Sequence, residues 1–361
     1  MPRRILFLVP YPIGESPSQR YRFEQYFKLL HENKIQYSVQ SFLNARNWRL
    51  TFQHGFLFSK IVAVSLGFVK RVIALSRASF YDFVFIHREV TPLGSPVFEW
   101  ILGNLLRKKI IYDFDDAIWL SDGTQEAPIL TFLKCRSKVR SICSWSYKVS
   151  CGNEFLRSYA SHYCPGAVYN PTTIDTVHWH NPDLHRNRAR TLDKVTIGWT
   201  GSHSTLKYLK LVEPVLQEIE RTFPAVSTVI IADKKPDLKL DRMIFIPWNI
   251  ETEISDLMQL DIGIMPLPDD DWAKGKCGFK ALQYMALNIP AVTSPVGVNL
   301  RIINNGVDGY LCSTEDDWKK TLTSLILDSS LRNKIGRNGR NKVIESYSVL
   351  SNSSNFLSLF E

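Results

Sequence analysis

The chain has 361 residues, 45% of them hydrophobic and 12% aromatic, enough to bury two domain cores, which excludes a disordered or fibrous protein. Its six cysteines form no C-x-x-C pair and no zinc-ligand spacing, so free thiols in a reducing compartment, the cytoplasm, are expected. The net charge of +9 is uneven: residues 1–170 hold 22 Lys and Arg against 12 Asp and Glu, residues 171–361 hold 22 against 23, and the excess suits an anionic membrane leaflet, a phosphorylated acceptor or nucleic acid.

In chain order, "RRILFLVPYP" reads as a buried parallel strand closed by prolines. A glycine-containing loop, "IGESPSQR", leads into a helix over "YRFEQYFKLLHENK", where Phe23, Tyr26, Phe27 and Leu30 recur at helical spacing. "QYSVQSF" is a strand, Phe56 to Arg77 one or two basic amphipathic helices, "YDFVFIH" a strand, "PVFEWILGNLLRKK" a helix and "KIIYDFDD" a strand. The apolar run from Phe56 to Val69 is interrupted by Lys60 and is too short to span a bilayer, and the start of the chain lacks a signal-peptide cleavage site. Phe56, Phe58, Ile61, Val62, Leu66, Phe68 and Val69 are assigned chiefly to core packing on the first sheet; an interfacial helix on an anionic leaflet is the other use of that composition. A helical region from Ile129 to Ser146, a strand at "YKVSCG" and a helix "NEFLRSYASHY" complete the first half.

Periodicity then fails, and Asn, Pro, Arg and His accumulate, which places a linker at 171–193 between a first domain, 1–170, and a second, 194–335. The rhythm restarts with strands at "VTIGWTGS", "STVIIAD", "RMIFIPW" and "DIGIMPL" and helices at "TLKYLKLVEPVLQEIERTF" and "EISDLMQL". Such alternation predicts an α/β fold of two doubly wound parallel sheets, with ligands at the carboxyl ends of the strands and in the cleft between two facing domains.

The segment "KGKCGFKALQYMALNIPAVTSPVG", residues 274–297, joins a glycine- and lysine-rich loop to a short helix that Asn288 is placed to close before Pro290. Phe279, Leu282, Met285, Ala286 and Ile289 form its expected buried stripe, leaving Lys280, Gln283 and Tyr284 on another face. Free N–H groups at the helix start, close approach at Gly278, and Lys276 and Lys280 nearby make a candidate phosphate cradle; solvated lysines on an ordinary helix are the plainer use. With "DIGIMPL" before it and "IINNGVDGYL" after it, this region resembles the donor-binding region of family 4 retaining glycosyltransferases, enzymes of the GT-B fold. "SQRYRFEQY", "YDFDDAIW" and "IGWTGSHSTLKYL" resemble further family segments in the right order.

The resemblance implies two Rossmann-like domains facing across a cleft, an acceptor domain first and a nucleotide-sugar domain second, with a helical segment at 336–361 as a candidate to cross back over the first. It departs from the family at the paired glutamates: Gln283 stands at the second and Gly275 at the first. Gln283 offers a neutral partner to a ribose diol, and Asp269, Asp270 or Asp271 is a candidate replacement acid or a solvated loop. Gly201 and Lys207 align with the glycine and lysine of the family turn G-R-L-x-x-x-K, and Ser202 stands at its arginine. Lys280, alone or with Lys276, is the expected substitute cation. Gly278 and Phe279 belong to the cradle, and Gly297 and Asn299 to the loop that approaches the sugar-phosphate. Trp248 is a candidate flank for the base, or a core residue.

On the first domain, Asp115 and Asp116 are candidates for orienting the acceptor hydroxyl or taking its proton. His87, with Arg88 and Glu89, comes second, and Gly14 and Arg20 in the first loop are candidates for a phosphate. A D-x-D metal site at Asp113 and Asp115 ranks below acceptor binding, and the scheme requires no metal. The implied activity is metal-independent transfer of a sugar from a nucleotide-diphosphate sugar, the co-substrate, to a hydroxyl of a glycan or lipid-linked acceptor. Retention is carried over from the family, and the setting is cell-surface polysaccharide or lipopolysaccharide synthesis, in the cytoplasm with peripheral contact at the inner membrane face. A degenerate, non-catalytic sugar-nucleotide or glycan binder is the alternative. Nucleic-acid binding is disfavoured for want of an aromatic–basic motif.

Overall fold

The computed structural model describes residues 3–51, 55–121, 128–185 and 194–361. The chain divides into two compact units: Met1–Thr172, Gly275–Cys277 and Ser353–Glu361 form the first, Thr173–Lys274 and Gly278–Asn352 the second. Residues 186–193 of the expected linker lie outside the described residues.

Six strands build unit 1: β1 (Arg4–Val9), β2 (Gln36–Ser41), β3 (Phe83–His87), β4 (Lys109–Phe114), β5 (Lys148–Cys151) and β6 (Ala167–Tyr169), in the order β2-β1-β3-β4-β5-β6. All pairs are parallel. Ile5–Val9 and Phe83–His87 are buried without a break, as apolar runs are in sheets covered on both faces. Because β1 lies between β2 and β3, the winding reverses there, and the carboxyl ends of β1 and β3 frame the crevice such sheets use for ligands. β6 has only three residues, too short a pattern to separate from the loop ahead of the linker.

The first helix starts earlier than its periodicity suggested, at Pro17, whose fixed φ suits a first helical turn. It bends at Phe23 into a 3₁₀ turn and resumes over Phe27–Glu32. Ser18 and Arg22 therefore stand one turn apart on a helix, on the carboxyl side of β1.

The stretch expected as one or two helices is a single helix, Leu57–Arg77, and its core assignment is reversed. Phe56, Phe58, Ile61, Val62, Leu66 and Val69 are exposed; of the seven only Phe68 packs, against Phe42. The buried face is Ala63, Gly67, Arg71 and Ala74. Close approach explains the choice, since a Cβ on Gly67 would lie 2.5 Å from the Phe42 ring. Arg71 donates to the carbonyls of Val9, Gln40 and Val90 at 2.7–2.8 Å.

Unit 2 carries β7 (Val195–Gly201), β8 (Val226–Ala232), β9 (Met243–Pro247), β10 (Ile262–Met265), β11 (Ala291–Thr293) and β12 (Tyr310–Leu311), all parallel, in the order β12-β11-β10-β7-β8-β9. Ile197, Trp199, Leu216, Ile230, Ile264, Trp318 and Leu322 share its core. β7 lies between β10 and β8, so Gly201 borders the second crevice. Each unit is thus a doubly wound, Rossmann-like α/β sheet, the fold expected.

Helix Phe279–Ala286 is buried more widely than the expected stripe, for Gln283 and Tyr284 are inside as well. The Tyr284 hydroxyl accepts from Thr200 N at 3.0 Å, and the ring fills the space that a Gly263 Cβ would enter at 2.3 Å. Asn288, at φ +60°, closes the helix as expected. The last residues pack in unit 1: Phe356 stacks on Tyr26 at 4.1 Å, and Phe360 lies among Phe7, Phe83 and Phe85. No helix among the described residues is long and apolar enough to cross a membrane.

Candidate functional site

At the crevice of unit 1, the end of β3 supplies His87, β4 supplies Asp113 and leads to Asp115 and Asp116, and the first helix supplies Ser18 and Arg22. Ser18 donates to Asp115 Oδ2 at 2.6 Å and lies 2.9 Å from His87 Nε2; His87 Nδ1 lies 2.8 Å from Asp113 Oδ2. A carboxylate has no proton to give, so the single hydroxyl proton of Ser18 goes to Asp115 and its lone pair faces His87. Both ring nitrogens of His87 then point at acceptors.

Every charge here is held. Arg22, buried, donates to both oxygens of Asp113, at 3.3 and 2.5 Å, to Ser150 Oγ at 3.1 Å, and to the Asn170 carbonyl. Arg88, in a left-handed conformation at φ +60°, donates to Asp115 Oδ1 at 3.0 and 2.8 Å and to Asp116 Oδ2 at 2.5 Å. Lys276 lies 3.6 Å from Asp116, Cys277 Sγ donates to the Asp115 carbonyl at 3.0 Å, and Asn153 Nδ2 to that of Lys276 at 2.9 Å. Burial acts to raise both carboxyl pKa values, but Arg22 with His87 holds Asp113 below its ordinary value, and Arg88 with His87 and Ser18 holds Asp115 well below. Burial pushes the Cys277 thiol well up. Among the described residues, no three His, Cys, Asp or Glu side chains group as a metal site would require. A groove of about 1610 Å³ at the opposite edge, by Arg4 and Gln36, contains none of these residues.

At the crevice of unit 2, Gly201 and Lys280 come together: a Cβ on Gly201 would lie 2.7 Å from Lys280 Cε and 2.5 Å from the Trp199 ring. Lys280 Nζ sits 5.2 Å from the centre of that ring. Gly278 precedes the helix at φ +68°, with no side-chain cap, and a Cβ there would meet Ile302 Cδ1 at 2.2 Å. Gly297, at φ +57°, passes so close to Lys274 that a Cβ would lie 2.9 Å from its backbone. Asn299 is buried and donates to the Ser294 carbonyl at 3.1 Å.

The other expected residues fall as follows. Ser202 is exposed, its hydroxyl 2.9 Å from Ser204 Oγ, and Lys207 is exposed beside Tyr208. Phe279 is half-buried, and Gln283 is buried with its amide 3.3 Å from His180 Nε2. Lys276 stands with Asp116 in unit 1, and Trp248 is half-buried, donating to Glu253 at 3.2 Å. Gly14, at φ +82°, donates its N–H to Glu24 at 2.9 Å. Arg20 is buried over the Tyr21 ring, on the first helix rather than in the loop where it was expected. Sequence reasoning missed Ser18, Arg22, Ser150 and Asn170. The available signal is the i, i+4 spacing of Ser18 and Arg22, hidden because the apolar periodicity begins only beyond Tyr21, while the helix begins at Pro17.

Residues 197–342, which lie in unit 2 apart from Gly275–Cys277, match the family model described as "Glycosyl transferases group 1". No curated protein sequence matches the chain. Among solved structures, sucrose-phosphate synthase from Thermosynechococcus elongatus superposes with a TM-score of 0.69 at 11% identity, over 99% of this chain and 98% of that one. A glycosyltransferase from Rickettsia africae gives 0.68 at 14% identity, and Anabaena HepE in complex with UDP and glucose 0.65 at 12%, each over 99% of this chain and 98% of the other. At these identities the likeness shows the fold.

Proposed function

We propose that the protein transfers a sugar from a nucleoside-diphosphate sugar to a hydroxyl of a glycan or lipid-linked acceptor, with retention, in cell-surface polysaccharide or lipopolysaccharide synthesis. The observation that carries this reading is the meeting of Lys280 and Gly201 at the end of β7, inside the region matched to the glycosyltransferase model. The missing Cβ lets Lys280 lie against Gly201, and in this scheme the lysine and the helix start, which has no side-chain cap, meet the charge that develops on the departing diphosphate. That HepE was solved with UDP supports a nucleoside diphosphate as the leaving group. The donor charge is met by lysine and amides in this scheme, without a metal ion. Lys207, Gly297 and Asn299 are the further donor contacts proposed, with Ser202 at the turn and Trp248 toward the base.

Unit 1 supplies the acceptor side. Asp115, ionised and pinned by Arg88, is too weak a base to take a proton from an alcohol, so its role is to orient the acceptor hydroxyl together with Asp116. His87, aligned by Asp113 and Ser18, presents a fixed ring at the same edge.

A thermal-shift panel of nucleoside diphosphates tests the proposal, because a ligand that binds only the folded state raises apparent stability. At least one should stabilise the protein, and Lys280→Ala should abolish that shift while leaving the unliganded transition within a few degrees. No shift with any nucleotide would overturn the donor reading. Binding without transfer or hydrolysis of any nucleotide sugar would favour a non-catalytic binder, which the engagement of Gln283 with His180 and the glycine at position 275 keep in view.

A further inference from the structure

Helix Leu57–Arg77 is built inside out. Its small residues and Arg71 face the unit, while Phe58, Ile61, Val62, Leu66, Val69, Val72 and Ile73 face solvent, an i, i+3, i+4, i+7 stripe along its whole length. Phe58 is 78% exposed, Val69 56% and Val72 59%, and Phe80, just beyond the helix, 67%. Isolated exposed apolar residues are ordinary, but a continuous stripe marks an interaction surface.

We propose that this face docks the protein on an anionic phospholipid leaflet, the helix lying flat with its stripe among the acyl chains. Charge selects the occupant. Between Glu32 and Asp82 the chain has seven Lys or Arg (34, 46, 49, 60, 70, 71 and 77) and no acidic residue. On the helical wheel Lys70 and Arg77, seven residues apart, border one side of the stripe, and Arg46 and Arg49 are exposed on the preceding helix, Ala45–Thr51. Cations beside an apolar face are what an interfacial helix offers to anionic headgroups. A second copy meeting the same face would bring the same cations in a molecule of net charge +9, so charge opposes self-association. The helix does not cross the bilayer, since no helix among the described residues is apolar enough. The inference is independent of the transferase reading.

Co-sedimentation of the full chain with phosphatidylglycerol vesicles and with phosphatidylcholine vesicles tests it. Binding to the anionic vesicles alone is expected, weakening as salt is raised. Leu66→Asp/Val69→Asp, at exposed positions away from both crevices, should lower the partition coefficient by about tenfold or more while the melting temperature and any nucleotide shift stay unchanged. Equal binding by the variant, or no binding by the wild type, would overturn the proposal. So would a wild-type dimer that the same substitutions dissociate in analytical ultracentrifugation, which would assign the face to a second copy.

Discussion

Arg22 and Asp113 illustrate how a buried charge is tolerated. Both side chains are fully enclosed: the guanidinium makes two bonds to the carboxylate, one to Ser150 and one to Asn170, while Asp113 also meets His87 Nδ1 at Oδ2 and accepts the Ser150 hydroxyl at Oδ1. Removing one partner strands the other, so Asp113→Asn should destabilise the fold by about 3–5 kcal/mol, read as a lowered urea midpoint at pH 7. The acid limb checks the cause. Asp113 and Asp115 have folded pKa values below the unfolded value of about 3.9. Their contribution is fully present above that value and is lost as pH falls through their folded values. Wild-type stability should therefore hold down to about pH 5 and fall below pH 4, with a shallower fall in Asp113→Asn. An equal acid limb in both proteins would contradict the assignment.

At the scale of elements, glycines decide what can approach. Gly152 follows β5, and a Cβ on it would lie 2.3 Å from Cys277 Sγ and 3.4 Å from Asp115 Cα. The segment Gly275–Cys277 needs that gap to seat Cys277 on the Asp115 carbonyl and Lys276 beside Asp116. Gly152→Ala should displace it. Because Cys277 is buried with its thiol pKa raised, it should resist maleimide in the wild type and label readily in the variant, as mapped by mass spectrometry. Unchanged protection would show that the segment does not depend on the gap.

Elements are also where legibility divides. The long apolar strands were readable because burial on both faces writes one unbroken run, as in "FVFIH". The His87, Asp115 and Asp116 edge was readable because strand ends can be counted. Ser18 and Arg22 were not, since Pro17 starts a helix before any apolar periodicity shows. The orientation of Leu57–Arg77 was unreadable for a different reason: its wheel has an apolar side and a small-residue side, and contacts distant in sequence, Phe42 at Gly67 and the carbonyls of Val9, Gln40 and Val90 at Arg71, decide which is inward. Gln283 and Tyr284 fall on another face than the apolar stripe, and amphipathic counting cannot anticipate Gly263 opposite Tyr284 or His180 beside Gln283.

For the molecule as a whole, continuity of chain and continuity of core differ. Ser353–Glu361 belongs to unit 1, although the residues before it belong to unit 2. Phe356 and Phe360 are fully buried there, one on Tyr26 and the other among Phe7, Phe83 and Phe85. Replacing both with alanine should cost unit 1 several kcal/mol, about 3–5 for each aromatic removed from a core. Hydrogen exchange should report the loss in β1 and β3 and leave β7 and β8 as they were; uniform deprotection of both sheets would contradict it.

Arg71 carries a consequence of its own. Burial pushes its pKa down to about 9, with Glu99 acting the other way, so at neutral pH it remains charged while bound to backbone carbonyls beside β1, β2 and β3. It works as a pin through the helix. An amphipathic helix without one could roll about its own axis and tuck an apolar face away, each residue of slip turning it by about 100°. This helix cannot roll without tearing the arginine from three carbonyls, so its azimuth is locked and the greasy side stays outward whether or not anything covers it.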